Sequence, residues 1–153
     1  MKRKKIVLLS LIVFMVALLS GCGKKPNGKI STYTMTNDKV TISVKKGTVT
    51  KKGLTLVMEN KTDDRFNYGA EYHLEKKYNK KWYVIEPKDK IIFTSMAYEV
   101  EAKQTKEIKF DWEYGYGELS KGKYRIVKYM YKLKDAPIDD SKKIFVAAEF
   151  NIK

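Results

Sequence analysis

Alternation of apolar and polar residues with a period of two is the feature that most limits how this chain can fold. It recurs from residue 40 almost to the last residue, as at Val40, Ile42 and Val44, which are separated by threonine and serine. Successive side chains of a strand point to opposite faces, so the pattern predicts strands with one buried face. No segment shows a convincing helical period. The spacing of turn residues favours an all-β antiparallel sandwich of seven or eight strands over alternating strands and helices.

The same alternation places the predicted strands along the chain. They cover residues 40–44, 54–59, 70–75, 81–85, 91–94, 108–112, 124–131 and 146–152. Asn79 and Lys80 are predicted to form the turn of a hairpin, and residues 137–141 a loop before the last strand. A short helix over residues 94–100 remains an alternative, since Met96 and Ala97 are compatible with one.

The N-terminus has the form of a cleavable export signal. Four basic residues at positions 2–5 precede an apolar run from Ile6 to Leu19. As a helix, this run would reach only about 21 Å, which is short of a bilayer core of roughly 30 Å. The run ends in the motif Leu19, Ser20, Gly21 and Cys22, which matches the lipobox of bacterial lipoproteins, where small residues admit the signal peptidase and the cysteine thiol takes a diacylglycerol.

The lipobox predicts the domain organisation and the location of the mature protein. Residues 1–21 are the predicted signal peptide, residues 22–37 a lipidated cysteine and flexible tether, and residues 38–153 a single folded domain. Cys22 is the only cysteine, so no intrachain disulfide is possible, and lipid attachment gives this thiol a use. We expect a protein anchored at the outer face of a Gram-positive cell membrane; an uncleaved anchor is the alternative. A tether of this length would hold the domain about 20 Å from the bilayer.

The net charge limits the partners that the domain can meet. It is +14 for the whole chain, and loss of the four signal cations leaves 28 Lys and Arg against 18 Asp and Glu, or +10. Such a charge attracts anionic phospholipid headgroups, anionic wall polymers or an acidic protein. We expect no nucleic acid partner, because an exported lipoprotein seldom meets nucleic acid.

Several segments of the domain resemble a known family. Leu119, Gly122 and Tyr124 reproduce the tyrosine corner of immunoglobulin-like sandwiches, although Tyr124 as a plain core aromatic is an alternative. The segments that carry the resemblance are Tyr68–Tyr72, Trp82, Tyr116–Leu119, Gly122–Val127 and Ala148–Phe150. They resemble the bacterial immunoglobulin-like domain of Firmicute lipoproteins over about residues 38–153. The resemblance implies a fold, and that family has no catalytic residues to transfer.

Residues that could support catalysis or hold a metal are scarce. His73 is the only histidine, and its place between Glu71 and Glu75 predicts a solvated position on the polar face of a strand. A serine triad would have to recruit His73, yet no Gly-x-Ser-x-Gly motif is present. We therefore expect no enzyme activity, no metal and no cofactor.

Two features are candidate binding surfaces, and each has a structural alternative. The first is the glycine-bearing aromatic loop with Trp112, Tyr114 and Tyr116, for which corner packing is the favoured alternative. The second is a run in which basic and aromatic residues alternate: Lys128, Tyr129, Tyr131, Lys132 and Lys134. Lysines that block edge pairing and tyrosines that stabilise a sheet explain this run equally simply.

These observations lead to three functional hypotheses. The first is a membrane-anchored, non-enzymatic binding or accessory module that contacts a protein or an anionic envelope component. The second is an inhibitor that presents residues 111–120 to an extracellular protease. The third, a hydrolase that depends on His73, is disfavoured.

Overall fold

The computed structural model describes residues 25–35, 39–133 and 142–153, and these form an antiparallel β-sandwich. Its strands are β1 (Val40–Val44), β2 (Gly53–Asn60), β3 (Phe66–Gly69), β4 (His73–Tyr78), β5 (Lys81–Val84), β6 (Ala97–Val100), β7 (Thr105–Asp111), β8 (Gly122–Lys132) and β9 (Ile144–Ile152). One short helix, α1 (Glu113–Tyr116), connects β7 to the turn before β8. The predicted fold class is confirmed.

The strands form two sheets. The smaller sheet has the order β1-β2-β7. In the larger sheet β8 is central: β9 pairs with one side of it, while the other side is shared by β4 at Tyr124–Val127 and by β3 at Met130–Lys132. β3 and β4 therefore lie end to end along β8, with a break at residues 70–72. β6 pairs with the outer edge of β3, and β5 pairs with the outer edge of β4.

Aromatic side chains fill the space between the sheets near the start of β8. Trp112 is 1% exposed, and its ring stacks on Phe150, which stacks in turn on Tyr124. The Tyr124 hydroxyl donates a 2.7 Å hydrogen bond to the Ser120 carbonyl. This bond to upstream backbone is the geometry of a tyrosine corner, so the prediction from Leu119, Gly122 and Tyr124 is confirmed.

Local turn chemistry explains the β4–β5 hairpin. Asn79 and Lys80 have φ angles of 45° and 65°. Two successive positive φ values match the right-handed twist of the flanking strands in a two-residue hairpin, and asparagine tolerates this conformation well. The hairpin turn that the sequence predicts is confirmed.

Several of the predicted elements differ in the structure, and β3 was not predicted at all. The strand predicted over residues 70–75 begins only at His73, and residues 91–94 form no strand. Ile91 instead lies against α1, where a Cβ atom on Gly115 would come within 2.3 Å of its Cδ1. The helix considered over residues 94–100 is replaced by β6. The chain turns into α1 after Asp111, so Trp112 lies outside β7. The loop predicted at residues 137–141 lies outside the described residues.

The N-terminal segment (residues 25–35) contacts the domain, which corrects the expectation of a free tether. The Ser31 N–H donates to the Trp82 carbonyl and the Val84 N–H donates to the Lys29 carbonyl, each at 2.9 Å, so Ile30 bridges to Tyr83 as an added edge of the sheet. A flexible, polar composition did not predict this contact, because backbone pairing does not require apolar side chains.

Candidate binding cleft

A cleft of about 500 Å³ opens between the two sheets where neither sheet closes over the other. Its walls are the edge strands β6 and β7, together with the end of β3. Its aromatic lining consists of Tyr68, Tyr72, Phe93, Tyr98 and Phe110. The volume and the largely apolar surface of the lining are those of a small-ligand or side-chain binding site.

Lys128 lies in the wall of this cleft, and its side chain points inward from the middle of β8. The residue is 1% exposed. Its ammonium donates hydrogen bonds of 2.8 Å to the Gly69 and Glu71 carbonyls, which face away from the β8 ladder at the interruption between β3 and β4. The rings of Tyr68 and Phe110 lie on either side, with Nζ 5.5 Å from each centroid. The lysine thus satisfies backbone groups that the broken strand leaves unpaired.

Lys128 forms no ion pair with any described residue, although the Glu71 carboxylate is close enough to oppose part of the lowering of its pKa by burial. Among the described residues, no acidic oxygen lies within 4.0 Å of its ammonium. The Glu71 carboxylate instead accepts the Tyr129 hydroxyl at 2.7 Å and lies 3.6 Å from His73 Nε2. Burial lowers the pKa of Lys128 to about 8, because the buried site disfavours the charged form. The ammonium has three N–H donors, and the two carbonyls occupy two of them.

β7 borders the cleft along most of its length. Six consecutive residues, Lys106–Asp111, line it, and β7 pairs only with β2 within the described part of the chain. One side of the strand therefore offers backbone donors and acceptors to a further strand. Glu107 pairs with Lys45 at 2.8 Å, and the Lys106 ammonium donates a 2.8 Å hydrogen bond to the Glu99 carbonyl on β6. Lys109 and Asp111 also line the rim.

The aromatic loop predicted as a binding surface is mostly core. Trp112 and Tyr116 are 1% and 6% exposed, and the Trp112 indole N–H donates to the Lys51 carbonyl at 2.9 Å. Burial raises the pKa of Tyr116 to about 12. Tyr114 is 80% exposed and is the one residue of the three that can contact a partner. The helical form of residues 113–116 also leaves no extended backbone there for a protease.

The basic and aromatic run is divided between the two faces of β8, so it does not form one surface. Lys128 faces the core, whereas Tyr129 and Tyr131 lie on the outer face with ring centroids 5.8 Å apart. A hydrogen bond to Glu71 raises the pKa of Tyr129 to about 12. Lys132 forms an ion pair with Asp64 at 2.6 Å. Four predicted site residues, Leu19, Ser20, Gly21 and Cys22, lie outside the described residues, as does Lys134.

His73 is less solvated than predicted. Its side chain is 26% exposed and its ring stacks on Tyr33 of the N-terminal segment, with centroids 5.1 Å apart. Within the described residues, no group of three or more His, Cys, Asp or Glu side chains is arranged to hold a metal ion. In that same part of the chain, no helix is long and apolar enough to cross a membrane.

Sequence reasoning missed most of the cleft, but one signal for Lys128 was present. Tyr124 and Ile126 were predicted to face the core, and the period of two places Lys128 on that same face. The expectation that lysine is exposed outweighed the alternation. Tyr68 and Tyr98 come from β3 and β6, which the sequence did not predict, and Phe93 comes from a segment wrongly predicted as a strand, so nothing could place the three together.

Comparisons with known proteins support the architecture. The sequence model of a bacterial Ig-like domain matches residues 36–151, which is most of the chain. A comparison with curated proteins finds no match.

Proposed function

Because the chain belongs to the bacterial Ig-like domain family, we propose that it is a lipid-anchored, extracytoplasmic binding module without catalytic activity. Domains of this family are typically non-catalytic, which supports an accessory role. The cleft between β6 and β7 is the proposed ligand site, and an extended, acidic segment of a partner protein is the proposed ligand.

The lipid anchor is supported by the sequence Leu19-Ser20-Gly21-Cys22 after a basic and apolar leader. Two or three acyl chains anchor a protein far more firmly than one, since each buried methylene contributes about 0.8 kcal/mol. Expression of the Cys22→Ala variant in cells fed a labelled fatty acid tests this part. We expect the wild type to take up label and the variant to take up none. Equal labelling of the two proteins would contradict lipid attachment at Cys22.

The observation that carries the binding proposal is the row of six consecutive β7 residues along the cleft. A strand added to a sheet edge gains backbone hydrogen bonds, and alternate side chains of that strand enter whatever pockets lie beside it. Here the side chains would enter the aromatic lining. The three lysines of the lining, at positions 106, 109 and 128, outnumber its two carboxylates, Glu107 and Asp111, and this excess of positive charge favours a ligand segment that carries carboxylates.

Site-specific photo-crosslinking in intact cells tests the cleft. The photoreactive residue replaces Tyr98, which lines the cleft and is 37% exposed, and in a matched control it replaces Tyr114, which is 80% exposed on α1. We expect a discrete protein adduct from position 98 and none from position 114. Greater exposure of position 114 makes the control stringent, because random collisions favour it.

Charge variants then separate specific binding from chance contact. The adduct at position 98 should weaken several-fold in Lys109→Glu, since this change repels an acidic segment at the rim. It should persist in Lys46→Glu, which alters an exposed lysine in the turn after β1 and changes the net charge equally. An adduct that is stronger at position 114, or one that is insensitive to Lys109→Glu, would exclude the cleft as the binding site for an acidic partner.

A further inference from the structure

The N-terminal segment is fixed on the larger sheet by several independent contacts. Besides its pairing with β5, the Ser31 hydroxyl donates to Glu75 Oε1 at 2.6 Å, and the Tyr33 ring lies 5.0 Å from that of Phe145. Gly28 passes so close to β5 that a Cβ atom there would lie 1.4 Å from the Val84 carbonyl oxygen. Glycine is therefore required at position 28 for the segment to lie against β5.

This contact shortens the distance between the domain and the lipid. The Lys25 ammonium lies 5.7 Å from the centre of the Tyr83 ring on β5. Only three residue steps separate Lys25 from Cys22, and three fully extended residues span at most about 11 Å. A diacylglycerol on Cys22 would therefore keep the β5 edge within reach of the headgroups, whereas a free tether from residue 22 to residue 37 would let the domain move farther away.

The surface around this edge is basic. Lys25, Lys29, Lys80 and Lys81 are exposed, and the Lys77 ammonium lies 5.2 Å from the centre of the Trp82 ring. Within the described residues, none of these five lysines has a carboxylate within 4.0 Å. The buried Glu75 beneath the segment adds no net negative charge, because it is paired with Arg125.

We propose that the β4–β5 hairpin and residues 25–31 form the face by which the domain lies on anionic lipid headgroups, with the hairpin lysines against the bilayer. The inference rests on the proposed lipid attachment at Cys22. Charges in solution interact over about one Debye length, roughly 10 Å at 0.1 M salt, which is similar to the longest possible span from Cys22 to Lys25. In this orientation the opposite end of the sandwich, with the β6–β7 turn, points away from the membrane.

Single labels at the two ends of the sandwich test the orientation. Once Cys22 carries lipid through its sulfur, an introduced cysteine is the only free thiol. One fluorescent label is placed at Lys81→Cys on the hairpin, and the control is placed at Ala102→Cys in the β6–β7 turn. β8 spans about 33 Å between these ends. The lipidated proteins are reconstituted in vesicles of phosphatidylcholine and phosphatidylglycerol that carry a headgroup-linked quencher.

We expect the label at position 81 to be quenched several-fold more than the label at position 102. The Lys77→Glu/Lys80→Glu pair should reduce this difference, because a lysine near an anionic surface contributes about fivefold to binding. The Lys106→Glu/Lys109→Glu pair, with the same charge change on β7, should leave it intact. Gly28→Val should also reduce the difference by displacing the segment from β5.

The outcomes separate this inference from the proposed anchor. Protein that is lipid-labelled and vesicle-bound but equally quenched at both positions would overturn the orientation and leave the anchor standing. Stronger quenching at position 102 would reverse the proposed face. Protein that takes up no lipid and stays off the vesicles would overturn both proposals.

Discussion

Two cations on β8, Arg125 at 11% exposure and the fully buried Lys128, are stabilised in different ways. Arg125, on the outer face, pairs through Nε with the Glu75 carboxylate, which is fully buried, and its guanidinium lies 4.7 Å from the centre of the Trp82 ring. Lys128, on the core face three residues later, contacts two carbonyls and two aromatic faces, and the Glu71 carboxylate acts on it without forming an ion pair. Arg125 thus belongs to an ion pair that lies under the N-terminal segment. Lys128 instead carries a positive charge that a ligand carboxylate would pair with.

The comparison indicates which site is structural and which is open to a ligand. A buried ion pair that is broken on one side leaves an uncompensated charge, so its parts depend on each other. When carbonyl dipoles and ring faces stabilise a buried charge, most of the free energy lost by removing that charge from water is already lost on folding. We therefore expect stability to depend strongly on Glu75 and weakly on Lys128, whereas ligand binding should depend on Lys128.

The largest expected effect follows the loss of Glu75. Glu75→Leu leaves Arg125 buried without its carboxylate, and we expect the free energy of unfolding to fall by about 3 kcal/mol or more. Urea denaturation measures this loss. Lys128→Met is the matched variant, and we expect a change within about 1 kcal/mol, because relief of the desolvation cost offsets the two unpaired carbonyls. Equal losses in the two variants would remove the distinction between the sites.

A double variant tests whether the stability lost in Glu75→Leu comes from the unpaired charge of Arg125. Glu75→Leu with Arg125→Met replaces the whole pair by apolar side chains, and most of the stability lost in Glu75→Leu should return. A double variant as unstable as Glu75→Leu alone would mean that the loss comes from packing and not from an unpaired charge.

The second largest expected effect is the dependence of the free energy of unfolding on pH. Burial lowers the pKa of Lys128 from 10.5 to about 8, so above pH 8 the unfolded chain binds more protons than the folded protein. Stability should therefore rise with pH, by about 2 kcal/mol between about pH 7.5 and 9.5, before the tyrosines titrate. Denaturation at the two pH values measures the rise. Lys128→Met should show almost none of it, and an identical rise in that variant would assign it to other groups.

The sequence predicted what local chemistry determines and missed what depends on long-range contacts. The hairpin turn at Asn79 and Lys80 and the tyrosine corner at Tyr124 follow from residue types within a few positions of one another. β3 is only four residues long and is defined by its pairing with β8 and β6, which no local pattern reveals. Docking of residues 29–31 depends on backbone pairing with β5, and that leaves little trace in composition.

The smallest expected effect concerns a third polar group on β8, the Tyr124 hydroxyl. Tyr124→Phe removes the hydroxyl that donates to the Ser120 carbonyl but keeps the ring stacked on Phe150, so we expect a loss of about 1 kcal/mol. Tyr114→Phe removes a hydroxyl from a ring that is 80% exposed and should change stability by less than about 0.5 kcal/mol. Thermal or urea denaturation compares the two. A loss in Tyr124→Phe no larger than the loss in Tyr114→Phe would mean that the hydrogen bond to Ser120 does not stabilise the fold, and that the ring of Tyr124 alone accounts for its place on β8.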